Sequence, residues 1–141
     1  MDVVTKNYIS WQELDVLVNE LCRKIQERLF YTDDMYTSIH GLSRGGLTPA
    51  VMVSHKLNIQ YTDVPIPSDG FDECLIIDDI ADSGKTLKEW EGYTTAVLHY
   101  KSHTSCCIPT MYAVEQTTDD WIVYPWERDD SKTIQDYKLD I

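Results

Sequence analysis

Cys74-Leu75-Ile76-Ile77-Asp78-Asp79-Ile80-Ala81-Asp82-Ser83-Gly84-Lys85-Thr86-Leu87 is the stretch that decides the fold. Leu75–Ile77 is a short apolar run that predicts a buried strand. Asp78 and Asp79 stand at its carboxyl end. A turn of small residues follows, Ala81 to Gly84, and Lys85-Thr86-Leu87 opens a helix. In open α/β sheets, ligands bind outside the carboxyl ends of the strands. Free N–H groups at a helix start suit a phosphate. The segment therefore sets acidic groups, suited to a polyol or a metal, beside an amide-lined pocket. A sugar phosphate matches that pair better than a free base or a peptide does. An isolated Asp-Asp pair would read as a solvated acidic turn; the ordered run of strand, acids, small turn and Gly-Lys-Thr is what points to a ligand.

The Gly84-Lys85-Thr86 triplet is not a Walker loop. That motif needs a glycine five positions earlier, and the residue there is Asp79. A carboxylate at that point repels a nucleoside triphosphate.

The rest of the chain reads as one α/β domain. Its 141 residues suffice for a single core, and a formal net charge of -12 argues against a nucleic-acid partner. No apolar run approaches the roughly 20 residues that span a bilayer, so no membrane partner is expected. The N-terminus lacks the basic and apolar regions of a secretory signal. Cys22, Cys74, Cys106 and Cys107 show no zinc-type spacing and read as free thiols of a cytoplasmic protein, the first two in the core. Ser10 and Glu13 form a capping box. Behind it, Trp11, Leu14, Val18, Leu21, Ile25 and Leu29 recur at helical spacing, with Trp11 as a structural anchor. Further strands are expected at Tyr36–Leu42, Gln60–Val64, Thr94–Tyr100, Met111–Val114 and Trp121–Tyr124. Gly45–Leu57 is expected to be a loop leading into a helix with Pro49 in its first turn, and Gly84–Trp90 a further helix. This alternation implies a parallel sheet. Asp129–Ile141 reads as a polar tail.

Taken together, these segments resemble the type I phosphoribosyltransferases, and the Cys74–Leu87 run resembles their phosphoribosyl pyrophosphate (PRPP) signature. The resemblance implies a parallel sheet flanked by helices with a small C-terminal hood. It implies one domain, residues 1–141, with the base-binding hood at about 101–128. By the same resemblance, Asp78 and Asp79 bind the ribose 2- and 3-hydroxyls and help hold Mg²⁺. Ala81, Asp82, Ser83, Gly84, Lys85 and Thr86 wrap the 5-phosphate. Asp82 sits near the base N7 as the catalytic group that handles a proton.

A second loop, Leu42-Ser43-Arg44-Gly45-Gly46, follows the Tyr36–Leu42 strand. Its glycines let a ligand approach the main chain, and Arg44 offers a forked cation to phosphate oxygens. Alone it would be an ordinary strand-to-helix turn. Beside the acidic signature it resembles the family's pyrophosphate loop, with Ser43, Arg44 and Gly45 on PRPP. The analogy extends to a non-proline cis peptide between Ser43 and Arg44.

Two segments resemble the purine branch, in particular its small xanthine-guanine and hypoxanthine-guanine enzymes. They are Leu98-His99-Tyr100-Lys101 and Asp120-Trp121-Ile122-Val123-Tyr124-Pro125-Trp126-Glu127. The resemblance implies that Lys101 donates to the 6-oxo group, that Trp121 stacks on the ring, and that Ile122 offers backbone groups. On residue type alone, Lys101 is equally a solvated strand-end charge, and Trp121, Tyr124 and Trp126 an aromatic core cluster. Trp126 is read as structural, and His99 as facing the opposite side of the strand from Lys101. One departure stands out. The family carries a long mobile lid before the acidic strand, and only Asn58–Cys74 is available here. The expected activity is transfer of 5-phosphoribosyl from PRPP to a 6-oxopurine in purine salvage, by a Mg²⁺-dependent homo-oligomer, dimer or tetramer. The alternative is a non-catalytic PRPP- or nucleotide-binding regulatory module; a pyrimidine enzyme is the weakest option.

Overall fold

A computed structural model describes residues 5–65 and 73–127. In chain order the elements are β1 (Lys6–Tyr8), α1 (Trp11–Tyr31), β2 (Tyr36–Gly41), α2 (Leu47–Leu57), β3 (Gln60–Tyr61), β4 (Glu73–Ala81), α3 (Lys85–Lys88), β5 (Thr94–Lys101), β6 (Met111–Gln116) and β7 (Trp121–Val123).

Ser10 starts α1 as its spacing to Glu13 predicts. The Glu13 amide donates to Ser10 Oγ at 3.1 Å, and the Ser10 amide donates back to Glu13 Oε1 at 3.3 Å. Leu14, Val18, Leu21, Cys22 and Ile25 form the buried face. Trp11 is not an anchor: it is 57% exposed. It is the first residue of the helix, a turn ahead of the buried stripe, and packing does not reach it.

The main sheet is parallel throughout, in the order β3-β2-β4-β5-β6. The strand of the opening motif lies at its centre. Leu75, Ile76 and Ile77 are fully buried because both faces of β4 are covered. Leu75 and Ile77 enter the core formed with α1 and α2, while Cys74 and Ile76 enter a second core with Leu87, Val97 and Tyr100.

Three expected element bounds need correction. β4 runs on through Asp78 and Asp79 to Ala81, so the acids lie inside the ladder rather than beyond it: Asp78 pairs with Val97 and Ile80 with His99. The third helix is only four residues, Lys85–Lys88. Beyond it the chain continues in tight turns, with Trp90 N donating to Leu87 O and Tyr93 N to Trp90 O. β3 stops at Tyr61, short of Val64, because only Ser38 and Ile39 of β2 pair with it. The remaining elements match expectation to within two residues. The small sheet β1-β7 is new at its N-terminal strand: Lys6, Asn7 and Tyr8 pair with Trp121, Ile122 and Val123. It ties the start of the chain to the C-terminal segment. Cys22 and Cys74 are buried, and Cys22, Cys74, Cys106 and Cys107 form no disulfide with one another. Pro67–Gly70 of the shortened connection and the Asp129–Ile141 tail lie outside the described residues.

Candidate functional site

The site forms where β2, β4 and β5 end. The loop after β2 packs directly on the acids of β4. Leu42 N donates to Ile77 O at 2.9 Å, which extends the β2-β4 ladder into the loop. A Cβ on Gly45 would lie 2.1 Å from Asp79 Oδ2, and one on Gly46 would lie 2.5 Å from Ile77 O and 2.9 Å from Asp78 Cα. Only glycine allows that approach. The Ser43–Arg44 peptide is cis, as the analogy anticipated. Ser43 and Arg44 stand exposed above it.

Within β4, Asp79 N donates to Asp78 Oδ1 at 2.9 Å, and Ile80 N donates to Asp79 Oδ1 at 2.8 Å. Burial pushes the Asp79 carboxyl above the ordinary range, despite those hydrogen bonds. A cation nearby would reverse that trend. Among the described residues no three ligating side chains converge on one point. Two carboxylates on one strand do not make a protein-only cage. They do fit Mg²⁺, which takes one or two carboxylates and leaves its other positions to water and substrate oxygens.

The turn after β4 is held from outside. Ala81 and Ser83 are buried, whereas Lys85 and Thr86 are exposed. Gly84 has φ +82°, and a Cβ there would meet Ser105 Oγ at 2.5 Å and Cys107 N at 2.7 Å. Cys106 N donates to Ser83 O at 2.7 Å, and Thr104 Oγ1 donates to Asp82 O at 2.7 Å. The segment 104–107 thus braces the turn. Nothing in its residue types, which are those of any polar loop, signals this role. A cleft of about 400 Å³ joins the two loops, with Ser43 from one and Thr86 from the other on its wall, together with His40, Tyr61, Asp63 and Trp90.

Lys101 is 1% exposed, which excludes the solvated strand-end reading. Its Nζ lies 3.8 Å from Asp82 Oδ1. The structure therefore brings the residue expected at the base next to the one expected to handle a proton. His99 is on the same side of β5 as Lys101, not the opposite one, since the two are two positions apart on a strand of period two. His99 Nδ1 lies 2.7 Å from the Tyr124 hydroxyl, which donates to Asp79 O at 3.0 Å. A carbonyl only accepts, so Tyr124 accepts from His99, and Nδ1 carries the proton. Burial, aided by the Lys101 charge, lowers His99 to about 4, which keeps it neutral. This link between β4, β5 and the residue after β7 was missed; Tyr124 looked like one member of an aromatic cluster.

In the hood, Trp121 is half-buried and Lys6 Nζ sits 5.8 Å from its ring centre. The Ile122 side chain is buried in the main core, so only its backbone is available to a ligand. Trp126 stacks on Tyr124 at 4.8 Å and 4°, a structural contact as expected.

This architecture is the type I phosphoribosyltransferase fold. No family model matches the chain. It is 28% identical over 144 residues to the xanthine-guanine phosphoribosyltransferase of Idiomarina loihiensis, an alignment covering 85% of this chain and 86% of that protein. It is 29% identical over 139 residues to the enzyme of the same name from Chromohalobacter salexigens, covering 84% and 82%. Among solved structures, a purine phosphoribosyltransferase from Pyrococcus horikoshii superposes with a TM-score of 0.73 at 27% identity, covering 93% of this chain and 99% of that one. The chain is a distant homologue of the type I purine phosphoribosyltransferases.

Proposed function

We propose that this protein transfers the 5-phosphoribosyl group of PRPP to N9 of a 6-oxopurine (hypoxanthine, guanine or xanthine), giving the nucleoside 5-monophosphate and pyrophosphate. The observation that carries the reading is the contact of Gly45 with Asp79. It sets an exposed Arg44 beside a pair of acids, a surface that suits a pyrophosphate joined to a ribose. The homology to purine phosphoribosyltransferases supports a reaction of this type.

In this reading residues 1–141 form one domain, with the base hood at about 101–128. Ser43, Arg44 and Gly45 hold the pyrophosphate. Asp78 and Asp79 hold the ribose hydroxyls and Mg²⁺. Ala81, Asp82, Ser83, Gly84, Lys85 and Thr86 wrap the 5-phosphate. Lys101 donates to the 6-oxo group, Trp121 stacks on the ring, and the Ile122 backbone meets its edge. The N9–C1′ bond forms as the C1′–pyrophosphate bond breaks, and Asp82 accepts the proton lost from the base ring. Mg²⁺, when bound, offsets charge on the leaving pyrophosphate. The chain's own contribution is to hold the two ends of PRPP apart and in line with the base. We place the protein in the cytoplasm, in purine salvage, as a homo-oligomer with neither nucleic acid nor membrane as partner.

The test is pyrophosphate release with PRPP and Mg²⁺, offering hypoxanthine, guanine, xanthine, adenine and uracil in turn. Turnover with at least one 6-oxopurine is expected. A second reading has its own observation: β3 ends at Tyr61 and β4 begins at Glu73, a short connection where a lid would excluded water. Saturable PRPP binding with no turnover on any base would establish a regulatory nucleotide-binding module instead.

A further inference from the structure

Gln116 ends β6 and is the register partner of Lys101 on β5, so the two side chains leave the same face of the sheet. Gln116 is 9% exposed. Its amide orientation is fixed: Nε2 donates to Asp120 O at 2.9 Å and to Thr118 Oγ1 at 3.4 Å. That leaves Oε1 buried with no hydrogen-bond partner. A buried acceptor without a donor costs free energy unless something supplies one. The only other such side-chain atom among the described residues is Trp121 Nε1, in the same hood. The orphaned Gln116 Oε1 thus stands beside the buried Lys101 across the strand pair, and no donor among the described residues satisfies it.

We propose that Gln116 is a specificity-determining residue that reads the ring edge of the base, and this rests on the phosphoribosyltransferase reading above. A 6-oxopurine presents a lactam edge: the O6 acceptor stands beside the N1–H donor. Lys101 is a donor and Gln116 Oε1 an acceptor, held side by side by the strand register. The pair is complementary to that lactam. Adenine presents the reverse order, an amino donor beside an N1 acceptor, and mismatches both groups. Because Asp120 O fixes the amide, Gln116 cannot turn over to accommodate it. The acceptor does not separate hypoxanthine, guanine and xanthine from one another, since all three carry N1–H.

The test is equilibrium binding of IMP and AMP to the full chain, which requires no turnover. The wild type is expected to prefer IMP. Gln116→Met, similar in size but without the acceptor, should weaken IMP roughly tenfold and leave AMP unchanged, so that the preference collapses. Gln116→Glu keeps an acceptor and loses the donor to Asp120 O; it should retain the preference, which separates base reading from support of the 116–120 segment. An unchanged IMP-to-AMP ratio in Gln116→Met overturns the assignment alone, while IMP binding and turnover leave the wider reading standing. A wild type that binds neither nucleotide overturns both. If Gln116→Met does not fold, the other two proteins decide: equal wild-type affinity for IMP and AMP, or a lost preference in Gln116→Glu, overturns the proposal.

Discussion

Two adjacent glycines separate binding from stability. A methyl on Gly46 would strike backbone, Ile77 O at 2.5 Å and Leu42 O at 2.7 Å, and neither moves without breaking the β2-β4 junction. A methyl on Gly45 would strike the Asp79 carboxylate, a side chain that rotates at the loss of its bond from Ile80 N. Gly46→Ala is therefore expected to cost roughly 2–4 kcal/mol of stability by denaturant unfolding. Gly45→Ala should unfold nearly as the wild type does and weaken PRPP about tenfold by calorimetry. Equal losses of stability would mean that Asp79 is as fixed as the backbone. His99 makes a different prediction. Its folded pKa is lowered to about 4 from 6.5, so its neutral form contributes stability that is complete above pH 6.5. That contribution falls away as pH drops from 6.5 to about 4 and amounts to about 3 kcal/mol. His99→Gln, which does not titrate, should show a shallower loss of unfolding free energy across that window. Parallel profiles for the two proteins would contradict a buried neutral histidine.

At the scale of elements, the loop that follows β5 matters more than its sequence suggests. Thr104 Oγ1 holds the Asp82 carbonyl at 2.7 Å and lies 3.4 Å from Asp82 Oδ1. Thr104→Val removes both contacts while keeping the shape, and should cost about 1 kcal/mol of stability. It should also raise the KM for PRPP and lower kcat, because one hydroxyl positions both the phosphate turn and the proposed proton acceptor. A KM and kcat equal to the wild type would reduce Thr104 to a loop contact. The strands and helices were legible because their cores repeat: α1 by its stripe, β4 by an apolar run that can only be covered on both faces. The junction of Gly45 with Asp79 was legible only as two separate motifs, since sequence does not show that β2 and β4 are neighbours. The 104–107 brace, the Tyr124 link and the orphaned Gln116 were not legible. Each depends on a hydrogen bond between residues far apart in the chain, and no residue type announces such a partner. The length of β4 was misjudged for a related reason: acids are poor strand formers, yet pairing with β5 carries the strand through them.

The whole molecule carries a formal net charge of -12, and the ligand proposed for it is itself a polyanion. Long-range electrostatics oppose that encounter. The nearby cations do not suffice to offset it. Arg44 and Lys85 are exposed, where solvent screens them, and buried Lys101 already faces Asp82 at 3.8 Å. Asp78 and Asp79 add negative charge at the point where the ribose would sit. Burial raising the Asp79 pKa shows that its carboxylate gains too little from the protein alone to offset its lost hydration. A divalent cation would resolve both problems at once, because it would neutralise oxygens of the proposed PRPP and give the carboxylates a counter-charge. Chelating Mg²⁺ is therefore expected to weaken PRPP binding about tenfold or more by calorimetry at fixed ionic strength. In a chain carrying Asp78→Asn with Asp79→Asn, PRPP should bind weakly with or without Mg²⁺, and thermal unfolding should show the fold intact. Tight binding by the wild type in the absence of any divalent cation would mean that the backbone amides of the two loops and Arg44 overcome the repulsion alone, and would remove the metal role from both aspartates.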